Sequence, residues 1–134
     1  METAIHLRNP TGNAGGNEDN KMSQEQQLEQ VELSIAQAKA TIQRRDSLDK
    51  LFSNEHFKAI ILNGYFEEEA SRLVLVKAAP SMQSEESQTQ INKSIDAIGF
   101  LRQHFHMIAQ TGNMAERALA DDQNTREELL AAGL

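Results

Sequence analysis

The sequence predicts an all-α protein: a small helical bundle or hairpin of about four helices, with a long first helix and an extended N-terminal arm. Two seams carry that reading. Leu28, Val31, Ile35, Ala38 and Ile42 are spaced 3-4-3-4, and Ile91, Ile95, Ile98, Phe105 and Ile108 keep much the same rhythm. Apolar residues at that interval line one face of a helix and pack along another helix. A third observation is the lack of strand alternation around Asn63-Gly64, a dipeptide that could otherwise mark a hairpin turn.

Taken in order, residues 1–22 form a flexible arm and residues 23–134 a helical body. The arm holds Pro10, Gly12, Gly15 and Gly16 among several Asn, with Ile5, Leu7 and Met22 as its sizeable apolar groups. Such a segment buries too little surface to offset its ordering entropy, so alone in water it is expected to be disordered. Ser23 with Gln26 fits a capping box, opening a helix that no Gly or Pro interrupts before Phe52. Its seam breaks at Arg45 and resumes one step over at Leu48 and Leu51/Phe52, in the manner of a stutter. Two heptads are too few for a fibre, so an antiparallel hairpin or bundle is expected.

Ser53 or Asn54 caps the next helix, whose expected buried face is Phe57, Ile60 and Ile61. Asn63-Gly64 reads as a break between two helices or a close-packing notch within one. Tyr65 to Ala78 continues with Phe66, Ala70, Leu73 and Val76/Lys77 spaced by three and four, and Glu67, Glu68 and Glu69 suit a helix start electrostatically. Pro80 ends this element. Ser81 to Ser84 is a polar loop, and Glu85-Glu86 opens a third helix expected to run to Thr111. Gly112 sits at a natural C′ position there, and Asn113 can begin a fourth, weakly amphipathic helix to about Ala132.

Composition limits function. A chain of 134 residues makes one domain at most. Its net charge of −7, from 13 basic and 20 acidic residues, argues against direct nucleic-acid binding, which rests on clustered Lys and Arg. With no Cys there is neither a disulfide framework nor thiolate chemistry. No stretch resembles a signal peptide or a membrane span, because the apolar runs at Ala59–Leu62 and Leu73–Val76 are far short of about 18 residues.

The chemical candidates have stronger ordinary explanations. His104 and His106 are two apart, so on a helix they point away from each other and cannot share one ion; they belong at the polar borders of the Phe105 seam position. His6 and His56 lack convergent partners. Glu67 to Glu69, Asp121-Asp122 and Glu127-Glu128 fan around helices as solvated turns and lack the EF-hand pattern. Arg44-Arg45 is balanced by Asp46 and Asp49, with pairs such as Arg45–Asp49 expected. The Gly12-x-x-Gly15-Gly16 and Thr111-Gly112-Asn113 stretches follow no strand and lack the Gly-Lys-Ser/Thr ending of a phosphate loop. The expectation is therefore a non-enzyme with no catalytic residues, no metal and no cofactor.

The block from Leu51 through Phe52, His56, Phe57, Asn63-Gly64, Tyr65-Phe66 and Glu67-Glu68-Glu69 to Arg72, Leu73 and Val74 resembles a segment of small helical structural proteins of tailed bacteriophages. The resemblance continues through Ile95-Asp96-Ala97-Ile98-Gly99-Phe100 and Met114-Ala115-Glu116, covering about residues 45–130. It is to a general pattern and carries no site residues. It implies a virion component, made in the host cytoplasm, whose partners are other virion proteins and further copies of itself. Spare apolar helix surface fits that role, and an arm that orders on contact covers much surface with few residues. A scaffolding or assembly chaperone is a variant. An acidic phage-encoded regulator of a host protein is the alternative, although Lys50, Lys58, Arg72, Lys77 and Lys93 interrupt any acidic stripe. The expected interface is Ile5 and Leu7 of the arm with Tyr65, Phe66, Glu67, Glu68 and Glu69, because a bend at Gly64 would push side chains outward; the alternative of equal weight keeps Phe66 in the core and exposes Tyr65 alone.

Overall fold

The computed structural model describes residues 23–133; the arm, with Ile5 and Leu7, lies outside them. Among the described residues the chain is helical, without strands. Helix α1 is Gln24–Phe52. Helix α2 spans residues 55–78 as an opening α-turn Glu55–Phe57, a π-helical stretch Lys58–Glu69 and a closing α-helix Ala70–Ala78. A 3₁₀ turn, Pro80–Met82, leads into α3, Glu85–Ala132.

Local chemistry sets these boundaries. The Ser23 hydroxyl accepts the Gln26 N–H at 3.1 Å while the Gln26 side chain accepts the Ser23 N–H at 3.1 Å, a reciprocal capping box. The Asn54 side chain accepts the Phe57 N–H at 2.9 Å and starts α2. Pro80 stops it, because a residue without an N–H cannot continue the ladder. The Gln83 and Gln88 amides then donate to the Lys77 carbonyl, each at 2.9 Å, and so satisfy acceptors left open at the end of α2. Ser84 accepts the Ser87 N–H at 3.1 Å and caps α3.

Two expectations about helix ends need correcting. Gly112 does not end a third helix: α3 runs through it for 48 residues, so the described part has three helices where the sequence suggested about four. Gly112 is buried, and a Cβ there would lie 2.9 Å from Arg45 Cγ and 2.8 Å from Arg45 Cδ. It is glycine because another side chain occupies the space. Nor does Asn63-Gly64 break α2. The π-helical winding passes through it for 12 residues, and a Cβ at Gly64 would sit 2.8 Å from the Ala59 carbonyl oxygen. Of the two sequence readings, the close-packing notch within one helix is the one observed.

The described residues gather into two compact units, 23–36 with 119–133, and Gln37–Ala118. In the first, two antiparallel helical segments are tied by polar pairs. Gln24 donates to the Leu129 carbonyl, Ser34 donates to Asp122 at 2.5 Å, and Arg126 pairs with Glu32 at 2.6 Å. In the second, the last part of α1 and then α2 run antiparallel to α3: Arg45 of α1 pairs with Glu116, and Lys77 of α2 donates to Asn92 at 2.7 Å. Ala38, Leu48, Leu73, Ile91, Ile98 and Ala115 are its buried apolar residues, and Ile42, Phe57, Ile61, Ile95 and Phe105 are half-buried. Ile60, expected inside, is 67% exposed, and Leu62 takes the inner position. The cause is the winding. A helix bonded i→i+5 holds more residues per turn than an α-helix, so its inner face falls at Phe57, Ile61, Tyr65, Glu69 and Leu73 and at Leu62, Phe66 and Ala70.

Candidate functional site: an aromatic cleft and a charged clip

The chain has five Phe and one Tyr, and five of those six rings gather within the larger unit. Phe52, at the end of α1, stacks on Phe57 with centroids 5.7 Å apart, and meets Phe105 of α3 edge-on at 5.6 Å. Phe57 and Phe66 approach Phe105 at 5.8 and 6.1 Å, and Tyr65 lies 6.1 Å from Phe66. Offset and edge-to-face pairs at these separations each add about 0.5–1.5 kcal/mol beyond the area they bury. The π-helical winding is what sets the neighbours Tyr65 and Phe66 side by side on the inner face. The sixth ring, Phe100, faces outward at 67% exposure.

Beside this cluster is a cleft of about 350 Å³. Its floor is Phe52, Leu62, Phe66, Phe105 and Ala109; Glu67, Arg102 and His106 stand around it as polar groups. An apolar floor under a rim of mixed charge suits an inserted apolar side chain. No nucleophile and base are brought together there, and among the described residues no three His, Asp or Glu converge as a metal cluster would.

The structure thus places the expected interface residues unevenly. Tyr65 and Phe66 are half-buried in the aromatic cluster, without the bend that was to expose them. Glu67 and Glu68 are exposed, and Glu69 is half-buried and forms a two-pronged pair with Arg72 at 2.7 and 2.6 Å. The hydrogen bonds from Arg72 hold the Glu69 carboxyl below its ordinary value. His104 and His106 are both exposed, and only His106 reaches the cleft.

Sequence reasoning missed the clip at Arg45. Its side chain is only 13% exposed and lies along α3. The guanidinium donates to Asn113 Oδ1 at 2.8 Å and pairs with Glu116 at 2.5 Å and Asp46 at 3.0 Å. Arg45–Asp49, the pair expected from sequence, is not formed among the described residues. Arg45 therefore does not break the seam of α1: it occupies the seam position, with Gly112 opposite as the space for its stem. An Arg at a seam position facing a Gly seven residues after Phe105 was the available signal. Hydrogen bonding to Arg45 lowers the Glu116 carboxyl below its ordinary value, and the same contacts raise Arg45 further above its already high one.

Among the described residues no helix is long and apolar enough to cross a membrane. Compared with protein-family models, curated proteins and solved structures, the chain matches none of them.

Proposed function

We propose that the protein is a non-enzymatic assembly protein, a structural component of a phage virion that docks through helical apolar faces onto copies of itself or onto capsid, connector or tail proteins. The observation carrying this reading is how much large apolar surface the helices turn outward. In the larger unit Leu51, Ile60, Val74, Leu75, Phe100, Met107 and Met114 are 41–73% exposed, while no large side chain is fully buried. Scattered apolar residues on a surface are ordinary, but a thin core beside this many exposed large ones marks surface reserved for partners.

The cleft beside Phe66 adds a socket for a partner's apolar anchor, with Tyr65, Glu67, Glu68 and Glu69 at the same corner. The likeness to phage structural proteins supplies the virion setting. Residues 1–22, with Ile5 and Leu7, enter the reading from sequence alone as a clamping arm.

Protein composition of purified phage particles tests it. A stoichiometric amount of the chain in mature particles is the expected result. Absence from particles, with abundance in infected cells, would replace the reading with a scaffold or an acidic regulator of a host protein.

A further inference from the structure

Within the larger unit, α3 carries a second seam. Ala97, Phe100, His104, Met107, Thr111 and Met114 recur at 3-4-3-4-3 spacing, and all six are exposed, Phe100, Met107 and Met114 at 67%, 59% and 55%. Each seam residue comes one position, roughly 100° around the helix, before a residue of the face that packs inside the unit (Ile98, Leu101, Phe105, Ile108, Gly112 and Ala115), so the seam runs beside that face and not within it. None of the six is Asp, Glu, Lys or Arg. A solvated helix face ordinarily carries those residues, and an uncharged heptad face is what a helix presents to another helix.

We propose that this face pairs with the same face of a second copy of the chain, the two α3 helices running antiparallel about a two-fold axis. Charge complementarity selects the partner and the direction. When Phe100 is set opposite Thr111 of the second copy, Ala97 meets Met114 and His104 meets Met107, so a large side chain meets a smaller one at the outer layers. The flanking row then sets Asp96 opposite Arg117 of the second copy, with Gln103 opposite Gln110 between them, and the symmetry repeats each contact. Neither Asp96 nor Arg117 has an ion pair among the described residues. A parallel pairing would set Phe100 on Phe100 and His104 on His104 and give Asp96 no cation. The proposal deepens the reading of the chain as an assembly protein by naming one partner and the face it uses.

Sedimentation velocity on the full chain tests it. The wild type should sediment as a dimer, and Phe100→Glu with Met107→Glu as a monomer of unchanged helicity by circular dichroism. Arg117→Asp should weaken the dimer about tenfold, and adding Asp96→Arg should restore it, because the reversed pair is again opposite in sign. The chain has no Cys, so single cysteines report on direction without interference. Mixing Phe100→Cys with Thr111→Cys under mild oxidation should give mainly the mixed disulfide. A monomeric wild type, a dimer untouched by Phe100→Glu with Met107→Glu, or cross-linking mainly of Phe100→Cys to itself would overturn the proposal. If the glutamate variant fails to fold, the cross-link still decides. A monomeric wild type leaves the virion reading intact, whereas absence from particles leaves this dimer intact, so the two can fail separately.

Discussion

Arg45 and Gly112 illustrate how one residue's identity is set by another. In a helix interior Ala is favoured over Gly by about 1 kcal/mol, so a Gly kept in the middle of α3 has a packing reason or none. Gly112 has one: an added Cβ would press on the Arg45 stem, including its Cγ at 2.9 Å, close to the backbone where the stem has little freedom to move. Gly99 has none, because nothing lies within 4 Å of the Cβ it lacks. The two should therefore respond oppositely to the same change. Gly99→Ala is expected to stabilise by about 0.5–1 kcal/mol. Gly112→Ala is expected to destabilise by about 1–2 kcal/mol net, the overpacking exceeding the gain in propensity. Chemical denaturation of both variants checks this, and a stabilised Gly112→Ala protein would remove the argument for the clip.

At the scale of the element, the π-helical stretch of α2 decides which residues face inward. Its inner positions at Phe57, Ile61, Tyr65, Glu69 and Leu73 recur every four residues, a spacing visible in the sequence and unlike the mixed threes and fours of α1. Gly64 permits the winding, since only a residue without Cβ tolerates the Ala59 carbonyl oxygen 2.8 Å from the Cβ position. Gly64→Ala should then destabilise the protein by about 1–3 kcal/mol and diminish the near-ultraviolet dichroism of Tyr65 and the Phe cluster. In an ordinary α-helix the same substitution would stabilise by about 1 kcal/mol. The sign of the change in melting temperature separates the two windings.

For the molecule as a whole, stability is tied to pH through its paired carboxylates. Glu69 and Glu116 are each held below their ordinary value of 4.5, first by the hydrogen bonds from Arg72 and Arg45. A carboxyl lowered in the folded state stabilises the fold fully above its ordinary value, and loses that contribution as pH falls through its lowered one. The melting temperature should accordingly fall as pH is lowered from about 5 through and below the ordinary value of 4.5, and Glu116→Gln should flatten part of that slope. The Glu69 and Glu116 side chains keep 34% and 54% of their surface exposed, so the change should be gradual and smaller at high salt. A melting temperature that stays level across this range would show that the pairs do not contribute. Outward apolar residues matter at this scale too: a dimer that covers Phe100, Met107 and Met114 would raise the melting temperature with protein concentration.

The sequence alone determined the helical class, the caps at Ser23 and Asn54, the stop at Pro80 and the inward sets of α1 and α3, because these depend on residues within a few positions of one another. Much of the α2 face was legible for the same reason, with Phe66, Ala70, Leu73 and Val76 falling inward as their spacing required. What only the tertiary structure decided involves residues far apart. Gly112 reads as a helix terminus until Arg45 of α1 is seen filling the space beside it. Arg45 reads as a surface charge until Asn113 and Glu116 are seen receiving it. Five aromatic rings scattered from Phe52 to Phe105 form one cluster only once three helices bring them together. Local patterns encode where helices begin and which face is apolar; a salt link between helices or a notch depends on what another helix places opposite, and sequence spacing does not record that.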